Sequence, residues 1–164
     1  MQIEKKYYHV DTIETVNLLI DHINQSTTIA YDTETDSLNP RKGTIVGWSV
    51  SGDTGMGFYL PTQKWNAQTN QLEECTIGGK GAHNITKKLL PLLKGKRLVM
   101  HNASFDCRFT KNYYGVDLLE DLWVDTALLV HTVQEEGAGM GVFGLKPLAI
   151  SIQQHIGLDV EKAA

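Results

Sequence analysis

Three acids, Asp32, Glu34 and Asp36, occupy alternate residues at the end of an apolar, β-branched run, TTIAYDTETDSL (27–38). On a strand, residues two apart share a face, so Asp32 and Glu34 converge; on a helix they would lie on nearly opposite sides. Ile29, Tyr31, Thr33 and Thr35 fill the other face. Two carboxylates held side by side raise one another's pKa, and a cation between them relieves the repulsion. Mg²⁺ suits such a pair, because it takes oxygen ligands from a few carboxylates and completes its shell with water and phosphate. A calcium-binding EF-hand loop is excluded: it needs Gly at 37 and Glu at 43, where the chain has Ser37 and Gly43. Alone, the short Asp-x-Glu is matched equally well by a solvated strand end.

A second stretch, LVMHNASFDCRF (98–109), places Asn102 and Asp106 four residues apart where a strand gives way to a helix. Both side chains then project from one face of the first turns. Alone, Asp106 is also explained as a first-turn acid that counters the helix dipole. Taken together, an acid pair ending one strand and an amide plus an acid opening a helix after another make the pattern of a two-metal phosphodiester site.

The elements that must carry these residues alternate. DTIETVNLLIDHINQS, opened by Asp11 as N-cap, has Ile13, Val16, Leu19, Ile20 and Ile23 at helical spacing. TTIAYDTETD, TIVGWSVSG and GMGFYLPT are β-rich runs divided by Asn39-Pro40 with Gly43 and by Gly52-Asp53, which predicts a three-stranded meander. The polar stretch from Gln63 to Asn84 reads as a loop, and ITKKLLPLLKG as a short helix despite Pro91. RLVM is a strand, and the segment after it a helix closed by Gly115. LWVDTALLVHTV reads as strand then helix, with Asp125 or Thr126 at the cap, and after the glycine-rich EEGAGMGVFG comes a last helix, LKPLAISIQQHIG. Three antiparallel strands followed by β-α-β-α predict an α/β fold with a mixed five-stranded sheet flanked by helices.

Composition sets the surroundings. With 164 residues the chain forms one globular domain. Hydrophobic residues at 41% and charged residues at 21% are ordinary for a folded soluble protein, and no apolar run is long enough to cross a bilayer. The amino-terminal MQIEKKYYHVDTIE has no apolar signal-peptide core, which points to the cytoplasm. Cys75 and Cys107, without CxxC spacing, read as reduced thiols, and the six histidines form no metal-ligand spacing such as His-x₃-His. The net charge of -4 argues against broad capture of duplex nucleic acid, although an acidic pocket filled by metal still takes a phosphodiester. Lys87, Lys88, Lys94, Lys96 and Arg97 form a basic cluster that reads as a phosphate contact or, equally, as a solvated face. Asp125 is better explained as an N-cap than as a site residue. No phosphate-binding G-x-x-x-x-G-K-S/T loop and no G-x-S-x-G serine motif is present.

YDTETDSL, followed by GTIVGWSVSGDTGMGFYLP and HNASFD, resembles the 3′–5′ exonuclease domain of family A DNA polymerases, the DNA polymerase I type. That domain belongs to the ribonuclease H-like exonucleases named for their four acids, Asp-Glu-Asp-Asp. VDTALLVHTV and GLKPLA extend the likeness over most of the chain. The resemblance implies that Asp32, Glu34 and Asp106 bind two divalent ions, Mg²⁺ or Mn²⁺, with Asp32 bridging both. It implies that Thr33, Leu38, Asn102 and Phe105 contact the substrate, Leu38 as a wedge against terminal bases and Asn102 and Phe105 as walls of the 3′-end pocket. By residue type alone, Leu38 and Phe105 also fit a buried apolar role. The implied activity is removal of nucleoside monophosphates from the 3′ end of single-stranded or frayed DNA beside a polymerase domain.

The family carries a third motif, Tyr-x₃-Asp or His-x₄-Asp, on a helix after the one matching GLKPLA. Tyr113-x₃-Asp117 has the spacing but contains Gly115, where the preceding helix must stop, and Asp159 lacks a Tyr or His at either spacing. The resemblance therefore implies a domain incomplete at its C-terminus. The contrasting expectation is a non-catalytic module that keeps the fold and binds 3′ ends or a protein partner.

Overall fold

The computed structural model describes residues 5–52, 55–133 and 144–155. The first strand, β1 (Lys6–His9), leads into helix α1 (Ile13–Gln25). The cap of α1 is Thr12 and not Asp11. The Thr15 N–H donates to Thr12 Oγ1 at 3.2 Å, and Thr12 N–H donates to Thr15 Oγ1 at 3.1 Å, a reciprocal arrangement that satisfies two otherwise orphaned donors.

The expected meander is present as β2 (Thr28–Thr35), β3 (Ile45–Ser51) and β4 (Met56–Pro61), paired antiparallel in sequence order. The stretch expected to be a loop is not one. It forms two small antiparallel pairs, β5 (Gln63–Asn66) with β6 (Gln71–Glu74) and β7 (Thr76–Ile77) with β8 (Lys80–Gly81). Its turn signals were local ones: Asn66 Oδ1 accepts the Gln68 N–H at 2.8 Å, and Asn70 takes the left-handed conformation. Helix α2 (Ala82–Leu89) ends in a 3₁₀ turn over Leu90–Leu93, as Pro91 requires. Then follow β9 (Arg97–Met100), α3 (Ala103–Tyr114) closed by left-handed Gly115, β10 (Leu122–Asp125), α4 (Thr126–Val133) and α5 (Leu145–His155). Of the glycine-rich segment, residues 135–143 lie outside the described residues, as do Asp53 of the β3–β4 connection and Asp159.

The main sheet has six strands, one more than expected, in the order β1-β4-β3-β2-β9-β10. The extra strand is β1, which pairs parallel with β4 at one edge; β2 with β9 and β9 with β10 are also parallel. One face of this sheet is the core. Ile29 and Tyr31 of β2, Trp48 of β3, Phe58 of β4 and Leu98 of β9 are buried together with Leu19 and Ile23 of α1 and Phe109 of α3. Two polar bonds orient the large core rings: Trp48 Nε1–H donates to Thr86 Oγ1 at 3.1 Å, and the Tyr31 hydroxyl bonds Thr110 Oγ1 at 2.8 Å. No helix among the described residues is long and apolar enough to cross a membrane.

Candidate active site

The strand period settles the first expectation. Along β2, Ile29, Tyr31 and Thr33 are buried, while Asp32 and Glu34 belong to the more open face. Asp36 stands apart. Its carboxylate accepts the Thr44 N–H at 2.6 Å, and its own N–H donates to Thr44 O at 3.1 Å, so the third acid closes the β2–β3 connection.

Asp106 reaches this strand from α3. Packing of the buried Ala103, Cys107 and Phe109 turns the helix so that Asp106, only 2% exposed, meets β2. There Oδ1 accepts two bonds from one residue, from the Thr33 backbone N–H at 2.9 Å and from the Thr33 hydroxyl at 2.6 Å. Thr33, expected to contact substrate, thus has its hydroxyl on the buried side, committed to Asp106. Burial pushes the Asp106 carboxyl up to about 6 against the pull of the Thr33 bonds, and the charge of Asp32 pushes the same way. Asp32 is raised too, first by burial and then by Glu34, with His101 partly offsetting both. The two carboxyls therefore form an electrostatically coupled pair on either side of Thr33.

The sign of the stability effect follows from these shifts. With its folded pKa above the usual carboxylate value, Asp106 holds a proton in the native state that the unfolded chain has released between about pH 4 and pH 6, so stability falls as pH rises through that window. Asp106→Asn keeps an amide oxygen for both Thr33 bonds and removes the buried charge. The variant is expected to be about 2 kcal/mol more stable than wild type at pH 8 without metal, and equal to it near pH 4. Urea titrations at the two pH values check this, and an equal gap at both would refute it.

The remaining expected residues are placed as follows. Asn102 adopts the left-handed conformation at φ 60°, which Asn tolerates better than most residues, and its side chain caps nothing. Leu38 is 87% exposed beside the β2–β3 connection, and Phe105 is half-buried with its ring 4.8 Å from that of Phe109. Tyr113 and Asp117 do not converge on the acids: Asp117 bonds Lys111 at 2.6 Å and accepts the Leu119 N–H, while Tyr113 packs edge-on against His83.

Asp125 proves to be a cap for two helices. Its Oδ1 accepts from Ala127 N–H at 2.9 Å in α4, and its two oxygens accept from Asn102 N–H at 3.0 Å and Ala103 N–H at 2.8 Å at the start of α3. It thereby fixes the helix that carries Asp106. Asp125→Ala, which strands these donors, is expected to cost about 2 kcal/mol, read as a lower urea midpoint, with Asp125→Asn losing less.

An open groove of about 440 Å³ lies over the sheet face that carries Asp32, lined among others by Ala30, Ser49, Tyr59, Val99, His101 and Leu145. Tyr59 and His101 line this groove and were not singled out by the sequence. Tyr59 crosses the sheet so closely that its hydroxyl fills the place of a Cβ at Gly47, the residue paired with Glu34.

The donors here are carboxylate oxygens, and burial with mutual repulsion leaves Asp32 and Asp106 with charge that a hard divalent cation would offset. In kind they fit Mg²⁺ or Mn²⁺. In number they are a pair: among the described residues no three His, Cys, Asp or Glu side chains are gathered closely enough to hold a metal ion.

The fold is of the ribonuclease H-like exonuclease class. It resembles the catalytic core of RRP6 from Trypanosoma brucei (TM-score 0.58, 15% identity over 99% of this chain and 38% of that one). It also resembles the Aedes aegypti Nibbler EXO domain (TM-score 0.58, 14%, covering 96% and 71%) and Escherichia coli RNase D, an exoribonuclease involved in structured RNA processing (TM-score 0.57, 16%, covering 96% and 35%). The chain thus spans little more than a third of two of these three proteins. Residues 7–163 match the 3′–5′ exonuclease family, and the chain belongs to that family. No curated protein matches it.

Proposed function

We propose that residues 1–164 form one 3′–5′ exonuclease domain that removes nucleoside monophosphates from the 3′ end of single-stranded or frayed DNA, proofreading for a polymerase domain. The observation that carries the reading is the coupled carboxyl pair: Asp106, fixed by both donors of Thr33, faces the strand that presents Asp32 and Glu34. Asp32, Glu34 and Asp106 are the acids we assign to two divalent ions, Asp32 and Asp106 as the pair already in place and Glu34 as the acid that must still close on them. Bound there, Mg²⁺ or Mn²⁺ supplies charge neutralisation at the phosphodiester and a more acidic attacking water. Thr33 orients Asp106, the Asp125 cap sets the start of α3, and Asn102, Phe105 and Leu38 lie on or near the elements that would border a strand end. The free state of Cys75 and Cys107 agrees with a cytoplasmic setting.

RNA is the second substrate reading, favoured by the likeness to an exoribonuclease fold. The experiment is digestion of 5′-labelled single-stranded DNA and RNA of one sequence with Mg²⁺, Mn²⁺ or EDTA. A metal-dependent ladder shortening from the 3′ end is expected, with DNA the better substrate. Faster shortening of RNA replaces the proofreading role with RNA trimming. Binding of 3′ ends without any shortening makes the chain a non-catalytic module.

A further inference from the structure

His101 stands beside Asp32 without being part of the acid set. Ala30 on β2 pairs with Val99 on β9; Asp32 lies two residues beyond Ala30, His101 lies just past the end of β9, and both line the groove. The ring is anchored on one side only. Its Nδ1 lies 3.0 Å from Thr126 Oγ1, and that hydroxyl donates its single proton to Met100 O at 3.2 Å. Thr126 therefore holds the ring through Nδ1 and leaves Nε2 as the nitrogen that can meet a ligand. Nε2 has no hydrogen-bond partner among the described residues. A hydroxyl, which both donates and accepts, can bond that nitrogen beside the Asp32 carboxyl.

We propose that His101 is a substrate-contacting residue of the groove, its Nε2 hydrogen-bonded to a hydroxyl, either that of the terminal sugar or that of the attacking water. This rests on the exonuclease reading above. The Thr126 bond explains why the ring is held, and the Asp32 neighbour explains where its free nitrogen acts.

Two variants separate this role from a structural one. His101→Asn keeps a polar group where Nδ1 sits, so the Thr126 contact survives, and deletes the one at Nε2; His101→Gln places an amide near Nε2. Both are compared with wild type in the full chain with Mg²⁺, on oligodeoxynucleotides ending in a 3′-hydroxyl or a 2′,3′-dideoxy sugar, with melting temperature as control. If the terminal sugar is the partner, wild type prefers the hydroxyl end by about tenfold in binding, His101→Asn loses the preference and His101→Gln regains part of it. If water is the partner, the ends bind alike and His101→Asn lowers kcat about tenfold with KM unchanged. His101→Asn matching wild type in both assays overturns the proposal, as does a loss that follows melting temperature in both variants. A wild type that neither binds nor shortens a strand, indistinguishable from Asp32→Asn, overturns the exonuclease reading and this proposal with it.

Discussion

Asp32→Asn is expected to lower the rate of mononucleotide release by about 10³-fold or more, equivalent to about 4 kcal/mol of barrier. Asp32 is the acid that both other carboxyls touch electrostatically: its charge raises Asp106, and Glu34 raises Asp32 in turn. Removing it leaves neither Asp106 nor Glu34 a near carboxylate with which to share a cation. The substitution is nearly isosteric and the position is only half-buried, so the variant is expected to fold with a melting temperature equal to or slightly above that of wild type. Mg²⁺ titration provides the second readout. Wild type should gain thermal stability with millimolar Mg²⁺ through preferential binding to the folded state, and Asp32→Asn should gain little. A variant that keeps its rate within tenfold of wild type, or its full Mg²⁺ stabilisation, would remove Asp32 from the centre of the site.

Trp48→Ala is expected to destabilise the protein by about 3–5 kcal/mol, enough to leave a marginal domain largely unfolded at 37 °C. Trp48 is 1% exposed in the middle of β3, against Tyr31 at a ring separation of 6.2 Å, and its indole N–H occupies the hydroxyl of the fully buried Thr86. Truncation opens a cavity beneath the strand that carries Asp32 and removes the indole donor from the Thr86 hydroxyl. Trp48→Phe isolates the second effect and should cost less, about 1–2 kcal/mol. Denaturant unfolding followed by circular dichroism gives both values. A loss below 1 kcal/mol for the Ala variant would mean that the core does not close on this side chain.

Much of the site was legible because its geometry is local. A period of two puts Asp32 and Glu34 on one face whatever surrounds them, and Gly115 ends α3 because only its left-handed conformation lets the chain leave there without strain. β1 was not legible. Four residues at a sheet edge, with three of them exposed, bury too little to show a pattern, and their partner β4 follows only after a helix and two further strands. The cap of α1 was misread by one residue, since Asp11 and Thr12 both suit the role and only the reciprocal bond with Thr15 distinguishes them.

By itself the sequence determined the order of β2, β3, β4, β9 and β10 with their helices, the shared face of Asp32 and Glu34, and the exonuclease signature, all of which rest on neighbours within a few positions. Only the tertiary structure decided that Asp106 is held by Thr33, 73 positions away, and that Asp125 caps two helices. It also brought His101, held by Thr126, into one groove with Asp32. Each of these depends on how α3 and the parallel pair β9–β10 pack beside β2. That rotation is set by buried contacts between distant segments, which no local spacing encodes.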